Sequence, residues 1–125
     1  MVIFDTSVII DASRRKKDAL DLIESYLEKE QIATTVITKY EMLRGATEQD
    51  TNFVTKMLEQ FIIYCFDDNS VKEAVTAYRK LNEKGKMINE LDLLIAGIVA
   101  ANSETLVTKD KDFLNLGSNR IIIMK

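Results

Sequence analysis

The segment Val2-Ile3-Phe4-Asp5-Thr6-Ser7-Val8-Ile9-Ile10 sets the frame for the rest of the chain. Three apolar β-formers with no polar residue between them describe a strand buried on both faces, as in a parallel sheet covered by helices. An acid and two hydroxyls end that strand, and Val8 to Ile10 continue as a helical stretch. Further on, Leu20, Leu22, Ile23, Tyr26 and Leu27 recur at near-helical spacing and predict a helix from about Lys16 to Lys29. Ile32 to Thr34 reads as a second strand. Val36 to Arg44 reads as a helix that Gly45 stops, and Asp50 to Gln60 as an amphipathic helix. Phe61 to Phe66, aromatic and β-branched, is the third strand, with Asp67 to Ser70 as its turn or cap. Val71 to Glu83 is helical until Gly85 breaks it, and Asn89 or Glu90 opens a helix to Ala101 that is apolar almost all round, hence deeply packed. Thr105 to Thr108 and Arg120 to Met124 are the last strands. Strands separated by helices pair in parallel through right-handed crossovers. The expected fold is therefore α/β, a three-layer α/β/α sandwich around a central parallel sheet of four to five strands, formed as one domain over residues 1–125.

Composition narrows the chemistry. The 125 residues are 46% hydrophobic and 30% charged, with four Gly and no Pro, the profile of an ordinary folded globule. The absence of His excludes Ser-His-Asp and Cys-His nucleophiles and any His-ligated zinc. Cys65 stands alone, which excludes an intrachain disulfide or a thiolate cluster and fits a reducing compartment. Within Phe61 to Phe66 it reads as a buried apolar residue. The longest apolar runs fall far short of the ~20 residues that span a bilayer. Asp5 cuts the first apolar run too early for a secretory signal, so a cytoplasmic location is expected. The net charge of −3 supplies no global attraction for a polyanion, so nucleic acid would need a local basic patch or a bound cation.

Functional groups in open parallel sheets gather outside the carboxyl ends of the strands. Asp5 follows the first strand directly and Asp110 follows Thr105 to Thr108, so parallel pairing brings the two together. Their structural alternatives are a helix cap and a turn residue. Asp92 has Ile95, Ala96 and Val99 at i+3, i+4 and i+7, which aims a carboxylate along an apolar face. Buried unpaired, it would cost several kcal/mol; the alternative is an acid complementing its helix dipole. Glu41 lies three residues from Arg44 and could equally serve a surface ion pair. If the four acids converge, mutual repulsion raises their pKa values unless a cation neutralises them. Oxygen donors alone favour Mg²⁺ or Mn²⁺. Such an ion polarises a phosphoryl oxygen and acidifies water, which is nuclease chemistry without histidine.

Asp5-Thr6-Ser7, Tyr40-Glu41-Met42-Leu43-Arg44-Gly45, Asp92-Leu93-Leu94-Ile95-Ala96 and Val107-Thr108-Lys109-Asp110-Lys111-Asp112-Phe113, in this order, resemble the PIN-domain family over essentially the whole chain. The likeness is to its VapC-type toxins. It implies a Mg²⁺- or Mn²⁺-dependent endoribonuclease, commonly a homodimer, inhibited by a small antitoxin that blocks the acidic pocket. By position, Asp5, Glu41, Asp92 and Asp110 match the family's catalytic acids. Asp5, Asp92 and Asp110 are then the metal ligands, with Glu41 acting through water. Asp112 is an auxiliary acid, and Thr6 matches a hydroxyl residue that supports the first Asp.

Basic residues offer phosphate contacts. Arg14, Arg15, Lys16 and Lys17 form a run after the Asp5 segment, and Lys39, Arg44, Lys109 and Lys111 flank the other acids. Tyr40, Tyr78 and Phe113 are candidates for base stacking, although Phe113 better suits the core. Two other readings compete. A receiver-like phosphoacceptor would use Asp67 or Asp68 with Lys109 or Lys111, and leaves Glu41 and Asp92 without a role. A catalytically silent partner-binding module would not need all four acids.

Overall fold

The computed structural model describes residues Met1 to Met124. Strand β1 (Val2–Phe4) is buried along its whole length, and its side chains alternate between two cores as a pleated strand requires. Val2 and Phe4 pack on one face with Val8, Ile9, Ala12, Ala19, Leu58 and Phe61. There the Phe4 ring meets Tyr26 and Phe61 edge-on, with centroids 5.6 and 6.3 Å away. Ile3 faces the other side, with Ala33, Ile95, Val99, Leu106 and Phe113.

The chain continues through α1 (Thr6–Ser13), α2 (Lys17–Leu27), β2 (Ala33–Thr35), α3 (Val36–Gly45), α4 (Thr51–Leu58) and β3 (Ile62–Tyr64). It then forms α5 (Asp68–Glu83), α6 (Glu90–Ala101), β4 (Thr105–Thr108), a short 3₁₀ helix (Lys111–Leu116) and β5 (Ile121–Ile123). All strand pairs are parallel, in the order β3-β2-β1-β4-β5. The sheet has five strands, within the four to five expected, and the three layers are present. After β1 the chain winds outward through β2 and β3, then returns to β4 on the other flank. The order therefore reverses between β1 and β4, and side chains at that crevice are shared by two halves of the sheet.

Several boundaries differ from the sequence expectation, for local reasons. Helix α1 begins at Thr6, because Asp5 caps it by accepting from the Ser7 amide. Helix α5 begins at Asp68 for the same reason, with Asp67 accepting from the Ser70 amide. Gly45 does not stop α3; it is the last helical residue, and Ala46 is the cap. Cys65 is exposed, not buried: it lies just past β3, an edge strand whose own burial is only partial.

Helix α6 is buried at Leu93 and from Ile95 to Val99, as its apolar surround predicts. It meets α5 tightly at Gly97, where a Cβ would stand 2.7 Å from the Ser70 carbonyl oxygen and 2.8 Å from Ala74 Cβ. Backbone cannot yield cheaply there. Gly97→Ala is expected to lower the unfolding free energy by about 1–3 kcal/mol in urea denaturation. An unchanged midpoint would show that the two helices separate freely.

Candidate active site

The ends of β2, β1 and β4 lie side by side, and each delivers a polar group to the same crevice. Asp5 leaves β1 only 3% exposed. Its Oδ1 accepts from the Ser7 amide at 2.8 Å and the Ser7 hydroxyl at 2.5 Å, and Thr108 Oγ1 donates to its Oδ2 at 2.6 Å. Burial raises the Asp5 pKa above its ordinary value, while these three donors pull the other way. The carboxylate is thus fixed in orientation as well as desolvated.

Thr35 ends β2 and caps α3, and Glu41 stands on that helix, half-buried. Thr6 Oγ1 donates its one proton to Glu41 Oε1 at 2.8 Å and lies 3.0 Å from Thr38 Oγ1. The hydroxyl that follows Asp5 therefore ties α1 to the second acid. After β4, the Asp110 amide donates to Thr108 Oγ1 at 3.0 Å, and the Asp110 carboxylate accepts from the Asp112 amide at 2.9 Å. Thr108 thus holds Asp5 and Asp110 in one arrangement.

Asp92 enters from the first turn of α6, behind the Asn89 cap. Its pKa is pushed up to about 7, first by burial, then by the negative charges of Asp5, Asp110, Glu41 and Asp112. Four acids from three separate stretches of chain act on a fifth. Among the described residues none of these five carboxylates forms an ion pair; the ion pairs lie at Asp11, Glu30 and Glu104. The Glu41–Arg44 surface pair considered from sequence is absent from that set. Arg44 instead lies over the Tyr40 ring, 5.1 Å from its centroid.

Uncompensated charge of this kind fits a hard divalent cation. All donors are oxygen, and Mg²⁺ keeps several waters while taking only one or two protein carboxylates. Among the described residues no three acids stand close enough to form a ready ligand group.

The basic residues divide. Lys109 Nζ donates to Asp11 Oδ2 at 2.5 Å, and Lys16 Nζ lies 3.5 Å from Asp11 Oδ1. Lys109, chiefly through that hydrogen bond, holds the Asp11 carboxyl below its ordinary value. The Lys109 amide also donates to Ser7 Oγ at 3.0 Å, so this lysine clamps the loop after β4 onto α1. Lys39 and Tyr40 are exposed on α3, and Arg14 and Arg15 line a groove that includes Glu41. Asp112 is exposed, Tyr78 is exposed on α5, and Phe113 is fully buried. Asp67 serves as a helix cap; its acceptance of the Ser70 amide and hydroxyl holds its pKa low, which leaves little for a phosphoacceptor role.

Sequence reasoning missed the functional weight of Ser7, Thr38, Thr108 and Asp11. A hydroxyl at the last position of a strand that leads into an acid is a usable signal for Thr108. Nothing local announces Asp11, whose partner Lys109 is 98 residues away.

A PIN domain model matches residues 2–119. The chain is 36% identical over 96 residues to Ribonuclease VapC3 of Methanocaldococcus jannaschii, covering 77% of this chain and 95% of that protein. Among solved structures, DNA-bound VapBC from Salmonella typhimurium superposes with a TM-score of 0.87 at 18% identity, over 99% of this chain and 98% of the other. A toxin-antitoxin complex from Klebsiella pneumoniae gives 0.83 at 22% identity, over 100% and 98%. With the fold, the order of its acids and these likenesses in agreement, the chain belongs to the PIN domain family.

Proposed function

We propose that this protein is a Mg²⁺- or Mn²⁺-dependent endoribonuclease and the toxin of a toxin–antitoxin pair. The observation that carries the reading is Asp92, half-buried at the end of the sheet and faced by Asp5, Glu41, Asp110 and Asp112. The ribonuclease name of a relative 36% identical supports RNA as the substrate. Structural likeness to a toxin-antitoxin complex supports a small protein inhibitor. Homodimerisation is what the family resemblance implies, and a cytoplasmic location is what the composition leads us to expect.

Asp5, Asp92 and Asp110 are the carboxylates that would hold the cation, in part through its retained waters, with Glu41 engaged through water. When bound, it supplies a polarised phosphoryl oxygen and an acidified water. The chain's own residues do the positioning. Ser7 and Thr108 fix the two Asp5 oxygens, Thr6 fixes Glu41, and Thr108 sets the loop that carries Asp110. Without a cation, burial and the neighbouring carboxylates hold the Asp92 pKa near 7, and a bound cation would favour its charged form. Lys39 and Arg44 are the basic side chains assigned to phosphates beside the scissile bond, and Lys109, paired with Asp11, acts by holding its loop.

The test is cleavage of a defined single-stranded RNA and its DNA equivalent, with Mg²⁺, with Mn²⁺ and with EDTA. Metal-dependent internal cuts in the RNA are expected. Cutting that survives EDTA after repurification would overturn the reading. Within the site, Thr108→Val removes a donor to Asp5 and an acceptor for the Asp110 amide. It is expected to slow cleavage by about 10–100-fold, the range typical of residues that orient metal ligands. Full activity in this folded variant would mean that the acids need no such support.

A further inference from the structure

Next to the acids, helices α1, α3 and α4 leave a groove of about 550 Å³, lined among others by Glu41, Arg14, Arg15, Asp50 and Phe53. Two guanidinium side chains and an aromatic ring, 49% exposed, share this one depression, and it is continuous with the site through Glu41. Arg15 is also in an unusual backbone state. Helix α1 ends with the Arg15 amide donating to the Ala12 carbonyl and the Lys16 amide to the Asp11 carbonyl, both at 3.0 Å. That is the Schellman pattern, whose left-handed position normally takes glycine. Arg15 occupies it with φ 60°. Helix α5 closes the same way but uses Gly85, with φ 67°. Helix α6 closes the same way on Ser103, with φ 52°, so the chain carries a β-carbon at this position twice, each time at a cost. From that position Arg15 lines the groove beside Arg14.

We propose that this groove is a subsite for the single strand flanking the scissile phosphate, with Arg14 and Arg15 on its phosphates and Phe53 stacked on an unpaired base. The assignment rests on the nuclease reading above and specifies where its substrate runs. An unpaired strand fits because stacking on an aromatic ring needs a base free of its complement, and the guanidiniums track the backbone. Asp50 and Glu41 limit the positive field, so the contacts are local ones at individual phosphates.

The test compares a single-stranded RNA of about 4 nucleotides, which fills the acidic pocket alone, with one of about 16 that also fills the groove. Arg15→Gly is the discriminating variant because glycine suits its backbone, so it should melt no lower than the parent. On the longer RNA it is expected to raise KM about tenfold with kcat unchanged, and to make the salt dependence of binding shallower by about one unit. On the short RNA it should match the parent. Phe53→Ala should likewise raise KM on the longer RNA only. Unchanged KM and salt slope in both variants would overturn the proposal, and would instead fit a groove kept for a protein partner. If the parent cuts neither RNA, the nuclease reading fails separately. The groove is then judged by fluorescence anisotropy of the labelled longer RNA, where equal affinity of parent and Arg15→Gly sinks it.

Discussion

Asp5→Asn is expected to remove RNA cleavage, by about 10³-fold or more in kcat, while the protein stays folded. The substitution keeps shape and most hydrogen bonding. The asparagine oxygen can still accept from the Ser7 amide, and its NH₂ faces the Thr108 hydroxyl, which has lone pairs to accept. What disappears is one negative charge at the centre of the cluster. The four other carboxylates then hold a divalent cation less well, and the one most rigidly oriented is gone. A conservative change at a buried, saturated position separates chemistry from stability better than alanine, which would leave three donors without their acceptor. The measurement is single-turnover cleavage of a labelled RNA at saturating Mg²⁺, beside thermal melts of both proteins. Activity within about tenfold of the parent, in protein repurified to exclude contaminating nuclease, would show that Asp5 is a helix cap and nothing more.

The cap reading and the catalytic reading of Asp5 are both legible in Val2-Ile3-Phe4-Asp5-Thr6-Ser7; the structure shows the cap, on a carboxylate that Thr108 also holds at the crevice. Strand β1 was readable because it is central and apolar on both faces, and α6 because it is apolar all round. Asp110 was readable for the same reason as Asp5, since an acid just past a buried strand has few places to go. Glu41 was not readable from its own surroundings. Its position depends on Thr35 capping α3 at the end of β2 and on Thr6 reaching it from α1, two facts of three-dimensional order. The same limit applies to Cys65. Its hexapeptide looks like core, but the strand order leaves β3 at the edge, and no local pattern encodes that order. The 3₁₀ helix after Asp110 is too short for periodicity to detect.

In metal-free buffer, Asp92→Asn is expected to melt above the parent near pH 8, and the gap should close as the pH falls to about 4. The Asp92 pKa is about 7 in the folded protein and 3.8 for the ordinary side chain. Between those values the folded state keeps a proton that the unfolded chain has lost. Stability therefore falls as pH rises through the interval, and the full penalty is present above about pH 7. Burial is its first cause and the four neighbouring carboxylates the next, so asparagine, uncharged at every pH, escapes it. Because Asp92 is half-exposed, screening by water reduces the penalty well below the bare pKa difference, to about 1–2 kcal/mol. Asp5 is shifted in the same direction and remains in both proteins, so it does not create the difference between them. Adding Mg²⁺ should reverse the order. A cation bound only to the folded parent stabilises it by about 2.7 kcal/mol at a hundred times its dissociation constant, and the variant gains less. Melting curves of the two proteins at about pH 4, 6 and 8, with EDTA and with Mg²⁺, read the whole scheme. A variant less stable than the parent at high pH without metal would mean that Asp92 is held by structural partners, and the clustered acids would no longer point to a shared cation.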